Sequence, residues 1–141
     1  MSERPPFHCA FTVHDLALAE AFYGGLLGCE EGRRAPTWID YDLAGHQLSL
    51  HLDTEKSVER YENPVDGKQV PLPHFGLVLD MEAWTALAAR LQEAGTEFVI
   101  EPYIRFKGLP GEQGTLFFAD PSGNALEFKG FRNIEDELFK T

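Results

Sequence analysis

The sequence predicts an α+β domain made of two similar halves. In each half an alternating strand is followed by a segment with helical periodicity and then by further strands. A histidine opens the first strand of both halves, at His8 and at His74. Since 141 residues suit one domain, we expect a pseudo-two-fold arrangement within a single domain, 1–141. Its parts are module one at about 5–53, a linker at about 54–71, module two at about 72–130 and a tail at 131–141.

Four elements are predicted in module one. Asp15 is a candidate N-cap and Gly28 is a stop signal, so they bound a helix whose apolar residues recur at helical spacing. Apolar and polar residues alternate before this helix and in two segments after it, which is typical of strands that bury one face. The predicted elements are the strand Phe7–Val13, the helix 16–27, and the strands Thr37–Leu43 and Gln47–Leu52.

Module two repeats this pattern after a polar segment. Asp53–Pro71 is rich in Glu, Lys, Asn, Pro and Gly and predicts a surface loop. Asp80 is the next candidate N-cap and Gly95 the next stop signal, while Asp-Pro-Ser-Gly-Asn at 120–124 favours a tight turn. The predicted elements are the helix 81–94, a short helix at Asn133–Phe139, and the strands Pro73–Leu79, Glu97–Ile100, Gly114–Ala119 and Ala125–Gly130.

The composition excludes several classes of partner. Twelve Lys and Arg against 23 Asp and Glu give a net charge of −11, which disfavours binding to nucleic acid or to an anionic membrane surface. No apolar stretch reaches about 18 residues, so no transmembrane helix is predicted. The N-terminus lacks the basic start and apolar run of a signal peptide, and two cysteines are too few for a disulfide framework. We therefore expect a reduced, cytoplasmic protein.

Side-chain alternation places ionisable residues on one face of the predicted strands. Residues i and i+2 share a face, so His8 lies beside Ala10 and Thr12, opposite an apolar face. Small residues beside ionisable ones predict a cavity. Two imidazoles and one carboxylate, from His8, His74 and Glu127, form a ligand set that suits Fe(II), and Mn, Co, Ni and Zn accept similar ligands.

These residues and their surroundings resemble the vicinal oxygen chelate superfamily, which includes glyoxalase I, type I extradiol dioxygenases and bleomycin resistance proteins. The most specific block is Phe118-Ala-Asp-Pro-Ser-Gly-Asn-Ala-Leu-Glu127-Phe, and Val13-His-Asp-Leu and Phe22-Tyr23-x3-Leu27-Gly28 support it. The resemblance covers nearly the whole chain. It implies two tandem βαβββ modules forming a U-shaped half-barrel with a central metal cavity. It also implies a homodimer and metal ligands at His8, His74 and Glu127.

Departures from the family pattern separate its branches. Glyoxalase I uses a carboxylate in its first module as a fourth ligand, where this chain has Ser49. His51 faces the same way as Ser49 and is a candidate ligand or catalytic acid/base. The ligands of extradiol dioxygenases are two histidines and one glutamate, which match, but these enzymes usually carry a tyrosine at the position of Phe117. Bleomycin resistance proteins generally lack the metal triad.

The segment Tyr103–Glu112 mixes aromatic rings and cations within an acidic protein. Two interpretations stay open: a solvated hairpin loop, or a loop that binds an anionic substrate through Arg105 or Lys107. Phe117 and Phe118 alternate on one strand, so one of them should line the cavity and the other should lie in the core. The candidate substrate-binding residues are Tyr103, Arg105 and Phe117.

The favoured hypothesis is a metal-dependent enzyme whose small substrate carries two neighbouring oxygen atoms. Extradiol ring cleavage with Fe(II) is preferred, with His51 as the catalytic acid/base. One alternative is a glyoxalase-like isomerase or lyase that uses Ni, Zn or Co. Another is a metal-free protein that sequesters a drug or metabolite in the same cavity. The expected partners are the small molecule and a second copy of the chain.

Overall fold

The computed structural model describes residues 4–57 and 61–140 of the chain. Its fold is α+β, as predicted, with βαβββ modules. The backbone groups into two compact units. Unit one comprises Met1–Val58 with Asp120–Gly123, and unit two comprises Glu59–Ala119 with Asn124–Thr141, each within the described residues.

Unit one contains a four-stranded sheet with the order β1-β4-β3-β2. Strand β1 runs parallel to β4, and the other neighbours are antiparallel. Asp15 caps the helix by accepting a hydrogen bond from the amide of Leu18, as predicted. The elements are β1 (His8–Val13), α1 (Leu16–Ala19) continuing as a π-helix (Glu20–Leu26), β2 (Glu30–Ala35), β3 (Trp38–Leu43) and β4 (His46–Leu52).

Strand β2 is absent from the sequence-based prediction. Its sequence, Glu-Glu-Gly-Arg-Arg-Ala, lacks apolar alternation, and all but its last residue are exposed. Among the described strands it lies at the edge of the sheet, where charged residues are tolerated. Pairing with β3 therefore forms this strand without any local hydrophobic pattern.

Unit two contains a sheet with the order β7-β11-β10-β9, in which β8 also pairs with β11, and a separate hairpin of β5 with β6. Asp80 caps the second helix through the amide of Ala83, as predicted. The elements are β5 (Tyr61–Val65), β6 (Lys68–Leu72), β7 (His74–Phe75), β8 (Val78–Asp80), α2 (Met81–Glu93), β9 (Phe98–Arg105), β10 (Gln113–Ala119), β11 (Ala125–Phe131) and α3 (Ile134–Glu137).

The hairpin β5–β6 corrects the prediction of a surface loop at Asp53–Pro71. Asp66 and Gly67 form its turn with φ of 52° and 74°, the left-handed conformation that two-residue hairpin turns require. The Asp-Gly pair was the available sequence signal for this turn. Polar and proline residues in both strands concealed the hairpin, because a short two-stranded ribbon tolerates them.

Strands β7 and β8 correct the prediction of one continuous strand at Pro73–Leu79. The ladder with β11 breaks at Gly76, where the backbone passes close to the carbonyl oxygen of Glu127. A Cβ atom on Gly76 would lie 1.6 Å from that oxygen. Only glycine fits this approach, and the strand pairing resumes at Val78.

Each sheet buries an apolar face, as the alternation predicted. In unit one Ile39 and Leu50 are fully buried, and in unit two Leu116 and Leu126 are. Trp84 anchors α2 on the second sheet, since its Nε1 atom donates a 2.9 Å hydrogen bond to the carbonyl oxygen of Phe128. None of the helices in the described part of the chain has the length and apolar character needed to cross a membrane.

We expect Tyr23→Phe to destabilise the protein by about 1–3 kcal/mol. Tyr23 is fully buried, and its hydroxyl donates a 2.8 Å hydrogen bond to the carboxylate of Asp120. Burial, and then the Asp120 charge, raise the pKa of Tyr23, so the hydroxyl keeps the proton that it donates. Urea unfolding measures the loss. Tyr41→Phe is the matched control and should cost less, because no hydrogen-bond partner of the buried Tyr41 hydroxyl is found within the described residues. Equal losses in the two variants would contradict the prediction.

Candidate functional site

Unit one carries His8 and His51 on the polar face of its sheet. The register of β1 on β4 pairs His8 with Gln47 and Thr12 with His51, which places all four side chains on one face. Both histidines are exposed. Their shared face agrees with the alternation, while the role of His51 as acid/base stays a prediction.

A carboxylate that sequence reasoning missed, Asp40, lies on the same face. Its Oδ1 atom accepts a 2.7 Å hydrogen bond from the Ser49 hydroxyl, and its Oδ2 atom lies 3.4 Å from Nε2 of Gln47. Oε1 of Gln47 lies 2.8 Å from Nδ1 of His8. The period-two pattern of β3 is the signal that could have found Asp40, because it places this residue opposite the buried Ile39.

Unit two brings His74 and Glu127 together. Nε2 of His74 lies 3.1 Å from Oε1 of Glu127, and Glu127 is only 8% exposed. The other polar atom of each side chain is also held. Nδ1 of His74 donates to the Pro71 carbonyl oxygen at 2.7 Å, and the Thr115 hydroxyl donates to Oε2 of Glu127 at 2.5 Å. Both groups are therefore fixed in orientation as well as in position.

The donor set of this pair fits a divalent cation. When Nδ1 of a neutral His74 carries the proton for Pro71, its Nε2 atom has only a lone pair to offer. An ionised Glu127 also presents only lone pairs, so a positive charge, either a proton or a metal ion, must hold the two atoms together. The hydrogen bonds to Pro71 and Thr115 resemble those that orient ligands in protein metal sites.

The charge balance of the pair agrees with this requirement. The hydrogen bond to Glu127 raises the pKa of His74 against the opposing effect of burial. Burial raises the pKa of Glu127, but the hydrogen bonds from His74 and Thr115 outweigh it and hold that pKa below its usual value. Both shifts favour the ion pair of a protonated His74 with an ionised Glu127.

The pair lies at a cavity of about 190 Å³ in unit two. Phe117 lies in this cavity, with its ring 5.0 Å from that of His74, while Phe118 stacks on Phe128 in the core. The alternation had predicted this division between the two phenylalanines. The lining residues are Val65, Val70, His74, Ile100, Tyr103, Arg105, Thr115, Phe117, Glu127 and Lys129.

Strand β9 brings Tyr103 and Arg105 into the cavity, because it extends past the predicted end at Ile100. Its register on β10 shifts between the Ile100 pair and the Tyr103 pair. The one extra residue of this bulge changes the parity of the strand, so that Ile100, Tyr103 and Arg105 all line the cavity. Of the two interpretations of 103–112, a plain hairpin loop is therefore wrong for residues 103–105.

Arg105 is oriented by the hairpin that the sequence analysis missed. Nε of Arg105 lies 2.6 Å from Oδ2 of Asp66, and the hydroxyl of Tyr103 donates to the same oxygen at 3.3 Å. Lys129 adds a second cation at the cavity. Alternation along β11 places Lys129 on the same face as Glu127. Asp66 carried no sequence signal for this site, because the hairpin brings together segments distant in the chain.

The predicted metal ligands are grouped only in part. Within residues 4–57 and 61–140, no cluster of three or more His, Cys, Asp or Glu side chains is positioned to hold a metal ion. The structure pairs His74 with Glu127, while His8 is carried by unit one, where it contacts Gln47. The complete ligand set stays a prediction.

Comparisons with known proteins agree on one family. The family model of the Glyoxalase/Bleomycin resistance protein/Dioxygenase superfamily matches residues 6–128. A glyoxalase/bleomycin resistance protein/dioxygenase from Alicyclobacillus acidocaldarius has 34% sequence identity, with 93% of this chain and 94% of that chain covered and a TM-score of 0.77. A search of curated proteins gave no match.

Two more distant structures share the fold. A lactoylglutathione lyase from Agrobacterium tumefaciens has 22% identity over 92% of this chain and 97% of that chain, with a TM-score of 0.64. A fosfomycin resistance protein from Listeria monocytogenes has 17% identity over 96% of both chains, with a TM-score of 0.66. At these identities the likeness extends to the fold alone.

Proposed function

Because the chain belongs to the glyoxalase/bleomycin resistance protein/dioxygenase superfamily, we propose that it is a divalent-metal-dependent enzyme acting on a small substrate with two neighbouring oxygen atoms. The observation that carries this proposal is the His74–Glu127 pair, whose facing lone pairs need a cation. A metal-free binding protein does not need a buried carboxylate that is held by Thr115 and directed at an imidazole.

His74 and Glu127 are the proposed metal ligands of module two. The internal repeat makes His8 the proposed third ligand, since it opens module one as His74 opens module two. A divalent ion supplies Lewis acidity to such a site, and Fe(II) adds redox chemistry. Fe(II) is the preferred ion, and Mn, Ni, Zn and Co are the alternatives that the same ligands accept.

The cavity supports a small substrate with an anionic group. Arg105 is held at the cavity by one hydrogen bond, from its Nε atom to Asp66. Its two terminal nitrogens form a fork that matches a carboxylate or a deprotonated hydroxyl. Lys129 strengthens the positive charge there. Phe117 supplies an apolar wall, and Tyr103 supplies a phenol that orients Arg105 through the Asp66 carboxylate they share.

For the reaction itself, we favour extradiol-type ring cleavage of a catechol. The two-histidine, one-glutamate set suits it, and His51 is the proposed acid/base that takes a proton from a substrate hydroxyl. A glyoxalase-like isomerase or lyase is the alternative enzyme, which the fold shared with a lactoylglutathione lyase supports. We also propose a homodimer, as the family resemblance implies. Light scattering of the purified protein measures the mass of this assembly.

Elemental analysis of protein purified anaerobically, without tag or chelator, tests the proposal. We expect about one divalent ion per chain in the wild type, and a loss of that ion in both His8→Ala and His74→Ala because each removes a ligand. Catechol-dependent oxygen uptake by the iron-loaded protein then tests the reaction.

The matched control is His46→Asn. His46 lies outside the proposed ligand set, and its Nδ1 atom accepts a hydrogen bond from the amide of Phe7, which an asparagine oxygen can replace. This variant should keep its metal. Nickel, zinc or cobalt without oxygen uptake would favour the isomerase or lyase. No metal, even after incubation with each ion, would overturn the proposal in favour of a sequestering protein.

A further inference from the structure

The polar face of unit one contains a directed chain of hydrogen bonds that ends on His8. Ser49 donates to Asp40, the amide nitrogen of Gln47 also faces Asp40, and the amide oxygen of Gln47 faces Nδ1 of His8. Gln47 and His8 are exposed, whereas Ser49 is buried and Asp40 is half-buried. The buried end of this chain of contacts is therefore the Asp40–Ser49 bond.

Asp40 determines which way the Gln47 amide points. A glutamine amide has an oxygen and a nitrogen of nearly equal size, so shape alone does not choose between its two orientations. An ionised aspartate is only an acceptor, so it attracts the nitrogen end of the amide and repels the oxygen end. The Gln47 oxygen is left to face His8, as the structure has it.

The orientation of Gln47 in turn determines the tautomer of His8. An amide oxygen is only an acceptor, so Nδ1 of His8 must carry the proton and Nε2 must offer a lone pair. In unit two, the Pro71 carbonyl oxygen likewise holds a proton on Nδ1 of His74. Nδ1 of both equivalent histidines thus carries a proton, which a side-chain oxygen accepts in module one and a backbone carbonyl oxygen accepts in module two.

We propose that Asp40 is a positioning residue that acts through Gln47 to hold His8 in the Nδ1-protonated form, with Nε2 free to bind a divalent cation. The tautomer itself is a property of the metal-free protein. The metal-binding consequence rests on the proposed function.

Two-bond proton–nitrogen correlation spectra of the imidazole rings test the tautomer directly. The spectra are recorded on the full, metal-free chain at about pH 8.5, where an unperturbed imidazole is neutral. We expect His8 to be protonated on Nδ1 in the wild type. In Asp40→Ala the Gln47 amide is free to rotate, so a signal from His8 protonated on Nε2 should appear. Gln47→Ala, at an exposed position, should give the same change.

A second change should rescue the effect of the first. In Asp40→Ala/Gln47→Glu, both side-chain oxygens of residue 47 are acceptors, so their orientation no longer matters and the Nδ1-protonated form should return. The matched control is Asp42→Asn, which removes a charge from the same face of β3 but retains an oxygen for the amide of Gly45. It should leave the His8 tautomer unchanged.

Zinc titration of the same variants measures the consequence for metal binding. We expect Asp40→Ala to weaken zinc binding by about 10–100-fold, the usual effect of losing a partner that orients a metal-binding histidine. If His8 has the same tautomer in the wild type and Asp40→Ala, or is protonated on Nε2 in the wild type, the role of Asp40 is overturned. If the tautomers behave as expected but the wild type binds no metal, Asp40 still sets the tautomer and it is the proposed function that fails.

Discussion

Glu127→Gln should abolish metal binding while leaving the fold intact. The glutamine has the same shape, its oxygen can accept from Thr115, and its amide nitrogen can donate to Nε2 of His74. Every hydrogen bond of the pair is thus replaced by a neutral one, but the anionic ligand is lost. Loss of a residue that only orients a ligand lowers metal affinity by up to about 100-fold. Because Glu127 is itself a proposed ligand, we expect the affinity for a divalent ion to fall by more than about 100-fold.

Titration with zinc and with iron under anaerobic conditions measures this loss, and urea unfolding of the metal-free protein checks the fold. Glu101→Gln is the matched control, because Glu101 is an exposed carboxylate on β9 that undergoes the same change of charge. It should bind metal as the wild type does. Undiminished metal binding by Glu127→Gln would remove Glu127 from the ligand set.

Gly76→Ala should produce the largest loss of stability from a single methyl group. The added Cβ atom would lie 1.6 Å from the Glu127 carbonyl oxygen and 2.7 Å from its carbonyl carbon. These are backbone atoms of β11, a strand that is paired on both sides, so they cannot move aside as the end of a side chain can. We expect a loss of about 3 kcal/mol or more in the free energy of unfolding, beyond ordinary overpacking.

Urea or thermal unfolding of the metal-free protein measures this loss. The control is Gly25→Ala, which lies in a helical segment. A Cβ atom there comes within 4 Å of no described atom beyond its chain neighbours and the backbone of that segment. It should be neutral or stabilising by up to about 1 kcal/mol. A loss below about 1 kcal/mol in Gly76→Ala would show that β7 and β11 are not held in this tight contact.

Much of the fold could be predicted because most of its elements carry a local pattern. Asp15 and Asp80 cap the helices as predicted, because an aspartate side chain satisfies amides that the first helical turn leaves free. The edge strand β2 and the hairpin β5–β6 lack apolar alternation and form through pairing with a neighbour, so no local pattern indicated their strands. Which strand pairs with which is determined by the tertiary structure.

The candidate site divides in the same way. The internal repeat pointed to His8, His74 and Glu127, since equivalent strands present equivalent positions to one face. Alternation along β3 could place Asp40 on the polar face, but it could not indicate the partners of Asp40, because Gln47 and Ser49 lie on the next strand of the sheet. Its hydrogen bonds follow from the register of β3 on β4 rather than from any spacing along the chain.

By itself, the sequence determined the family, the positions of the helices, and the buried and polar faces of the strands that carry apolar alternation, because side-chain periodicity and capping act within a few residues. Only the tertiary structure decided that Tyr103 and Arg105 line the cavity with His74. That outcome depends on the bulge in β9, which changes the strand's parity, and on the hairpin that supplies Asp66. Neither a change of parity nor a contact between residues 66 and 105 is encoded in any short segment, since both arise when distant strands pair.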